Sequence, residues 1–387
     1  MNELEQMKEW VATLNSAADA YYNGKAELMT DFEWDALFDK VKALEEKLGI
    51  VLPESPTNRV SADSVVGQKE EHEFLALSLA KTKQITDIVK WSENRPIWIS
   101  WKLDGLTLIA TYDDGNLTKV VTRGNGTVGT NITHLVSGIK GFPRKISEKG
   151  HLVIRGEAVI SYDDFESYIA SSQEDYANPR NLASGSLSLK DPEEIKPRNV
   201  QWLPFTLVYS EKEITSWGEQ LSWLKELGFK PVECEKVESP TYDDIKSVID
   251  KWTSKVTSGK NRFPVDGLVI CYDDTNYAKT GSVTGHHATR GGLAFKWQDE
   301  EAETTLEKIE WSCAVASISP VAIFKPVQLE GTTVKRASLC NISECERLGI
   351  GSKGTKIKII KANKIIPKVV SVTDKVGELE IPSICPV

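Results

Sequence analysis

The sequence predicts a multidomain α+β protein, with a small helical segment first, a mixed α+β domain next and a small β-barrel last. Three observations predict it. Residues 3–48 carry apolar side chains at helical spacing. Residues 95–300 mix strand-like and helix-like runs, and residues 304–381 hold short strands punctuated by Gly, Pro and Lys. A length of 387 residues suits two or three such domains.

The elements follow in order. Trp34, Leu37, Phe38, Val41, Leu44 and Leu48 line one face of a helix, and Thr30 with Glu33 three residues on reads as its capping box. Leu52-Pro53-Glu54-Ser55-Pro56-Thr57 breaks the pattern and reads as a linker. Strands are expected at Ile97–Ile99, Leu106–Tyr112, Leu152–Ile154, Trp202–Val208 and Gly267–Tyr272, with a hairpin turn at Asp114-Gly115-Asn116. Helices are expected near 161–172, 216–227 and 242–257. Five barrel strands are expected at Ala314–Ile318, Val321–Phe324, Thr332–Lys335, Thr355–Ile360 and Lys368–Val372.

Composition narrows the functional classes. No uninterrupted apolar stretch approaches the ~20 residues of a membrane span, and the acidic start Met1-Asn2-Glu3-Leu4-Glu5 is unlike a secretory signal. Six scattered cysteines with no CxxC pair fit neither a disulfide framework nor a zinc site, so a reducing cytoplasm is expected and a membrane partner is not. Net charge is −9, but it is unevenly spread. Residues 1–50 hold 5 Lys/Arg against 11 Asp/Glu, whereas residues 353–375 hold seven lysines against Asp374. Such a run is either a solvated strand face or a surface for phosphate backbone; Lys353, Lys356, Lys358, Lys361 and Lys364 are the candidate contacts to nucleic-acid phosphates.

The chemical signal begins at Lys102-Leu103-Asp104-Gly105, at the end of an apolar strand. A lysine nucleophile must reach a bound phosphate past a backbone that allows close approach. Four further motifs follow: Thr122-Arg123-Gly124-Asn125-Gly126; Arg155-Gly156-Glu157; Asn178-Pro179-Arg180-Asn181 with Ala183-Ser184-Gly185-Ser186-Leu187; and Val265-Asp266-Gly267 with Phe295-Lys296-Trp297. Singly, each has a plain structural reading: a hairpin, a surface pair, a strand-edge charge.

In this order and spacing they resemble the NAD-dependent DNA ligases, over nearly the whole chain. Tyr21, Tyr22, Asp31, Trp34 and Asp35 resemble that family's nicotinamide mononucleotide-binding domain, and Ser78-Leu79 and Ile365-Ile366-Pro367-Lys368-Val369 also match. The resemblance implies a helical domain at 1–62, an adenylation (nucleotidyltransferase) domain at 63–303 and an OB-fold at 304–387. It implies sealing of nicked double-stranded DNA in three transfers. Lys102 takes AMP from NAD, AMP passes to the 5′-phosphate of the nick, and the 3′-hydroxyl then displaces it. An ordinary lysine amine holds its proton at pH 7, and losing it there costs roughly 4–5 kcal/mol. A nearby cation is therefore expected to help, Mg²⁺ or Mn²⁺, with Glu157 and Asp104 as oxygen donors to it or to the sugar hydroxyls, and Asp266 either a ligand to the metal or the group that orients Lys102. Arg123, Arg180 and Lys296 are the candidates to hold phosphate charge. Tyr21, Tyr22 and Trp34 are expected to stack on nicotinamide, and Asp31 and Asp35 to accept from its ribose or carboxamide.

The chain also departs from the family pattern. Ser100 stands where the family has a Glu that reads adenine, Cys271 where it has a Lys, Ser188 where it has an Arg, and Cys313-Ala314-Val315-Ala316 where it has Gly-Arg-Thr-Gly. Cys385-Pro386 resembles the opening of the family's zinc module but Val387 follows as the last residue, so no zinc is expected. The expectations are a compact viral or phage form, acting in a bacterial or infected-cell cytoplasm, a shortened chain, or one completed by a second polypeptide. Two other readings compete: an ATP-dependent ligase or capping-type enzyme, which leaves residues 15–60 unexplained, and a degenerate ligase-like subunit that binds DNA or a partner chain.

Overall fold

A computed structural model describes residues 3–22, 28–29, 31–52, 54–57, 65, 67–76, 78–174, 176, 178–280, 291–297, 301–314, 317–329, 332–362 and 366–382. The chain packs as two compact units, Met1–Trp252 with Asn261–Lys296, and Thr253–Lys260 with Trp297–Val387. Among the described residues, no helix is long and apolar enough to cross a membrane.

The first unit opens with α1 (Glu3–Tyr22) and α2 (Asp31–Leu48). Met7, Val11 and Leu14 recur at helical spacing and bury against Val41, as the periodicity predicts. Leu52 joins this core, and Thr57 donates to Glu45 Oε2 at 2.6 Å, so the expected linker is tied down along its described part. Thr30, the expected cap, lies outside the described residues.

Next come β1 (Lys69–Glu71), β2 (Ala80–Thr82), α3 (Ile85–Ser92), β3 (Ile97–Leu103), β4 (Leu106–Asp113), β5 (Asn116–Thr122), β6 (Val128–Thr130) and β7 (His151–Val159). After α4 (Tyr162–Ser171), α5 (Pro179–Ser186) and α6 (Pro192–Ile195) come β8 (Gln201–Ser210), α7 (Trp217–Glu226), β9 (Cys234–Val237), α8 (Tyr242–Thr257), β10 (Val265–Tyr272), α9 (Thr275–Lys279) and β11 (Gly292–Phe295). Two sheets carry the site, one in the order β2-β11-β10-β3-β9 and one in the order β5-β4-β7-β8. The expected hairpin joins β4 to β5, with Asp113 opposite Asn116 and positive φ at Asp114 and Gly115. The three expected central helices are α4, α7 and α8, and the Ser161 and Ser216 side chains cap the first two.

Gly105 and Gly267 show why glycines sit in their motifs. A Cβ on Gly105 would lie 2.2 Å from the Ala158 carbonyl oxygen, and one on Gly267 would lie 2.3 Å from that of Phe295. Both let neighbouring strands close directly beside Lys102 and Asp266.

The second unit is a closed barrel in the order β12-β13-β14-β16-β15, consistent with an OB-fold. Its strands are β12 (Ala302–Ala314), β13 (Ser317–Leu329), β14 (Thr332–Ser338), β15 (Lys356–Ala362) and β16 (Ile366–Asp374), and α10 (Ile342–Leu348) lies between β14 and β15. One expectation is corrected here. The strand predicted at Ala314–Ile318 falls where β12 ends and β13 begins, and the strand that precedes it, Ala302–Ala314, was not expected. Its sequence AETTLEKIEWSCA sets Glu307, Lys308 and Glu310 among its apolar residues, and a register shift between Leu306 and Lys308 interrupts the alternation that marks a strand.

Candidate active site

The site is built on one face of the five-stranded sheet. In β3, Ile97, Ile99, Trp101 and Leu103 point into the core, which leaves Trp98, Ser100 and Lys102 on the opposite face. Cross-strand register carries that face outward: Ser100 lies opposite Val269, Val269 opposite Ala294, and Ala294 opposite Lys81. The result is a row of short uncharged side chains, Ser100, Val269 and Ala294, ending at Lys81, with Lys102 two residues along β3 from Ser100.

Asp266 meets Lys102 because β10 is irregular. Its register with β3 shifts between Val265 and Gly267, and a bulge re-aims the side chain that sits in it. Lys102 Nζ donates to both Asp266 oxygens at 2.7 Å. Burial pushes the Asp266 carboxyl up, but Lys102 and Lys296 outweigh it and hold the group below the usual carboxylate range.

Lys296 follows β11, its backbone fixed by a 2.9 Å bond from its N–H to the Thr82 carbonyl. Its Nζ lies 3.9 Å from Asp266 and 3.0 Å from Asp35 Oδ2. Asp35 comes from α2, and its other oxygen accepts from Lys81 Nζ at 3.0 Å. Burial raises the Asp35 carboxyl, yet Lys81 and Lys296 prevail and hold it low.

Asn178-Pro179-Arg180 is a helix start. Asn178 caps α5 by accepting from the Asn181 N–H, and Pro179 occupies the first turn. This projects Arg180, whose Nη1 donates to Asp104 Oδ1 at 2.6 Å. Asp104 is held in turn by its own N–H bond to the Pro264 carbonyl. The Thr122–Gly126 motif forms a tight turn between β5 and β6, with Gly126 N–H bonded to the Arg123 carbonyl.

Glu157 sits on β7 opposite Thr107, whose hydroxyl donates to Oε2 at 2.8 Å. It is 8% exposed, and burial pushes its carboxyl up to about 7, against the pull of Arg180, Thr107, Arg123 and Lys102. The folded chain thus keeps a proton there that the unfolded chain sheds near 4.5. Stability is expected to fall as pH rises through that window, by about 3 kcal/mol in all. Glu157→Gln should flatten this fall, as denaturant unfolding at about pH 5 and pH 8 will show. An unchanged slope would assign the proton to another group.

The expected residues divide in this way. Lys102, Asp266, Lys296 and Asp35 form one chain of ion pairs, and Asp104 pairs with Arg180. Trp34 donates its indole N–H to the Leu14 carbonyl and stacks on Phe38 with centroids 5.1 Å apart, so it packs between the two helices. Leu79 lies against Gly292, and Ser78 is half-buried. The side chains of Tyr21, Tyr22 and Asp31 lie outside the described residues. Ser100 is buried, with its hydroxyl 3.4 Å from the Val269 carbonyl. Burial raises the Cys271 thiol to about 12, so it is a neutral group on this face. Lys81 is the residue that the sequence reading missed; the available signal was its place two residues beyond Ser78-Leu79.

In the barrel, Lys353 and Lys356 are exposed and Lys358 pairs with Glu301 at 2.9 Å. Lys361 departs from the expected exposed run: it is buried and donates to Thr332 Oγ1. The β15–β16 register shifts between Lys358 and Ile359, which ends the simple alternation. Lys364 lies outside the described residues.

A lysine clamped by a largely buried carboxylate, with Lys296 and Arg180 nearby, is an arrangement suited to covalent nucleotidyl transfer. Comparison with known families gives the family. Residues 1–61 match the DNA ligase-like N-terminal NAD⁺-binding domain, residues 71–300 the NAD-dependent DNA ligase adenylation domain, and residues 303–379 the NAD-dependent DNA ligase OB-fold domain. The chain belongs to the NAD-dependent DNA ligase family. It is 43% identical over 390 residues to a DNA ligase of Lachnoclostridium phytofermentans, an alignment covering 99% of this chain and 59% of that one. It is 40% identical over 393 residues to a DNA ligase of Ruminiclostridium cellulolyticum, covering 100% of this chain and 59% of that one. The chain thus spans 59% of the length of these two relatives.

Proposed function

We propose that this chain takes AMP from NAD onto Lys102 and passes it to the 5′-phosphate of a nick in double-stranded DNA, which it then seals. The observation that carries this reading is the two-point clamp of Asp266 on Lys102, set beside the row of short uncharged side chains. The donor set suits NAD: that row for adenine, cations for the diphosphate, and α2 with Asp35 on the nicotinamide side.

In the first transfer the Lys102 amine attacks the adenylyl phosphorus. A P–N bond forms, the P–O bond to nicotinamide mononucleotide breaks, and the mononucleotide leaves with the electron pair. Asp266 accepts from the Lys102 ammonium through both of its oxygens, so it orients the nucleophile and is well placed to take its proton. As Lys102 loses charge, the attraction holding the Asp266 carboxyl low weakens and burial favours its protonated form. Lys296 and Arg180 supply fixed positive charge where the phosphate develops negative charge. Mg²⁺, when bound, supplies further positive charge, and Glu157 suits it as a hard oxygen ligand. Asp266 is better matched to orienting Lys102, since both its oxygens are already engaged.

We infer domain limits of 1–62, 63–303 and 304–387, and a cytoplasmic setting, in keeping with six scattered cysteines that include no CxxC pair. Intact-mass measurement after incubation with NAD and Mg²⁺ tests the reading. A gain of one adenylyl group is expected with NAD; a gain from ATP alone overturns it.

For DNA binding we propose Lys353, Lys356 and Lys358. For every phosphate that the barrel no longer neutralises, the slope of log affinity against log salt should fall by about 0.9. Charge reversal at these three positions is expected to weaken nick binding and sealing while sparing reaction with NAD. An unchanged salt slope in a binding titration would move the DNA surface elsewhere.

A further inference from the structure

Lys81 has no part in the chemistry set out above, yet its surroundings are those of a ligand-binding cation. It stands on β2, level with Ala294, Val269 and Ser100 at the end of their row. Its Nζ lies 3.0 Å from Asp35 Oδ1 and 5.0 Å from the centre of the Trp34 ring, and its side chain is 40% exposed. Asp35 Oδ2 lies 3.0 Å from Lys296 Nζ. Two ammonium groups therefore converge on the two oxygens of one carboxylate. A phosphate presents oxygens in the same way and forms equally strong charge-assisted bonds.

The order of the charges indicates which phosphate. Lys102, Asp266, Lys296, Asp35 and Lys81 follow one another with alternating sign. Lys296 reaches the end of this series that holds the nucleophile. Lys81 lies at the other end, against Trp34 and Phe38 of α2. A dinucleotide joined by a diphosphate needs positive charge at both phosphates. We propose that Lys81, with Lys296, binds the phosphate of the departing nicotinamide mononucleotide, and that the Asp35 carboxylate fills this anion position until the dinucleotide displaces it. This inference rests on the NAD reading and adds a recognition residue to it.

Titration calorimetry on the full chain with two ligands tests it: nicotinamide mononucleotide, and nicotinamide riboside, which lacks the phosphate. The wild-type chain is expected to bind the mononucleotide more tightly. Lys81→Met should weaken mononucleotide binding about tenfold, the scale of one hydrogen bond to a charged group, and leave riboside binding unchanged. Lys81→Arg should restore most of the loss. Equal weakening of both ligands would show that Lys81 only packs against α2, and would overturn the proposal. So would an unchanged mononucleotide affinity in Lys81→Met, or no preference for the phosphorylated ligand in the wild type. Self-adenylylation of the wild-type chain by NAD is scored separately. If it occurs and the ligand preference does not depend on Lys81, this inference alone falls; if it does not occur, the NAD reading falls with it.

Discussion

Lys102→Ala is expected to remove all mass gain from NAD while leaving the chain folded. The side chain is only partly buried, and its partners can rearrange around the truncation: Asp266 keeps Lys296 at 3.9 Å as a second cation. Sealing of a nick that already carries the 5′-adenylate should survive, because that step forms no bond to the lysine. Asp266→Asn separates two contributions of the clamp. The amide oxygen can still accept from Lys102, but it cannot take a proton, so self-adenylylation should slow by roughly a hundred- to ten-thousand-fold, the range for a positioned proton acceptor. Rates near wild type in Asp266→Asn would mean that the proton leaves by another route and that the carboxylate serves only as a counter-charge. Adenylylation persisting in Lys102→Ala would place the nucleophile on another side chain.

The sequence showed the proposed nucleophile and most of the residues around it, because they sit in short motifs whose spacing reflects local backbone demands. Lys102-Leu103-Asp104-Gly105 is a strand end followed by a close strand approach at Gly105, and Asn178-Pro179-Arg180 is a capped helix start. Both are local, so both are legible. What was hidden depends on pairing between distant segments. Asp266 is legible from its motif, but the bulge through which it faces Lys102 is revealed by no periodicity. Lys81 reaches the site because β2 pairs in parallel with β11, more than 200 residues later in the chain. The same limit explains the barrel. The alternation of β12 is interrupted by a register shift between Leu306 and Lys308, and Lys361 turns inward after another, although Lys353 and Lys356 stand exposed.

The second large effect concerns the helical segment. Removing residues 1–61, or replacing Asp35 by alanine, is expected to abolish or severely slow the reaction with NAD and to leave sealing of a pre-adenylated nick near wild type. Asp35 is buried between two cations and is held ionised by them. Its loss removes the α2 carboxylate that pairs with both Lys81 and Lys296 on the sheet face. Nicotinamide is present only in the first transfer, so groups that recognise it cannot assist the later two. The point substitution keeps both helices in place and is the cleaner test. Asp35→Asn preserves the volume and one acceptor, and should fall between wild type and alanine in its rate with NAD. Single-turnover assays of each step on the same preparations decide the matter. If Asp35→Ala slows sealing as much as adenylylation, the carboxylate supports the whole sheet face and is not specific to the nicotinamide half.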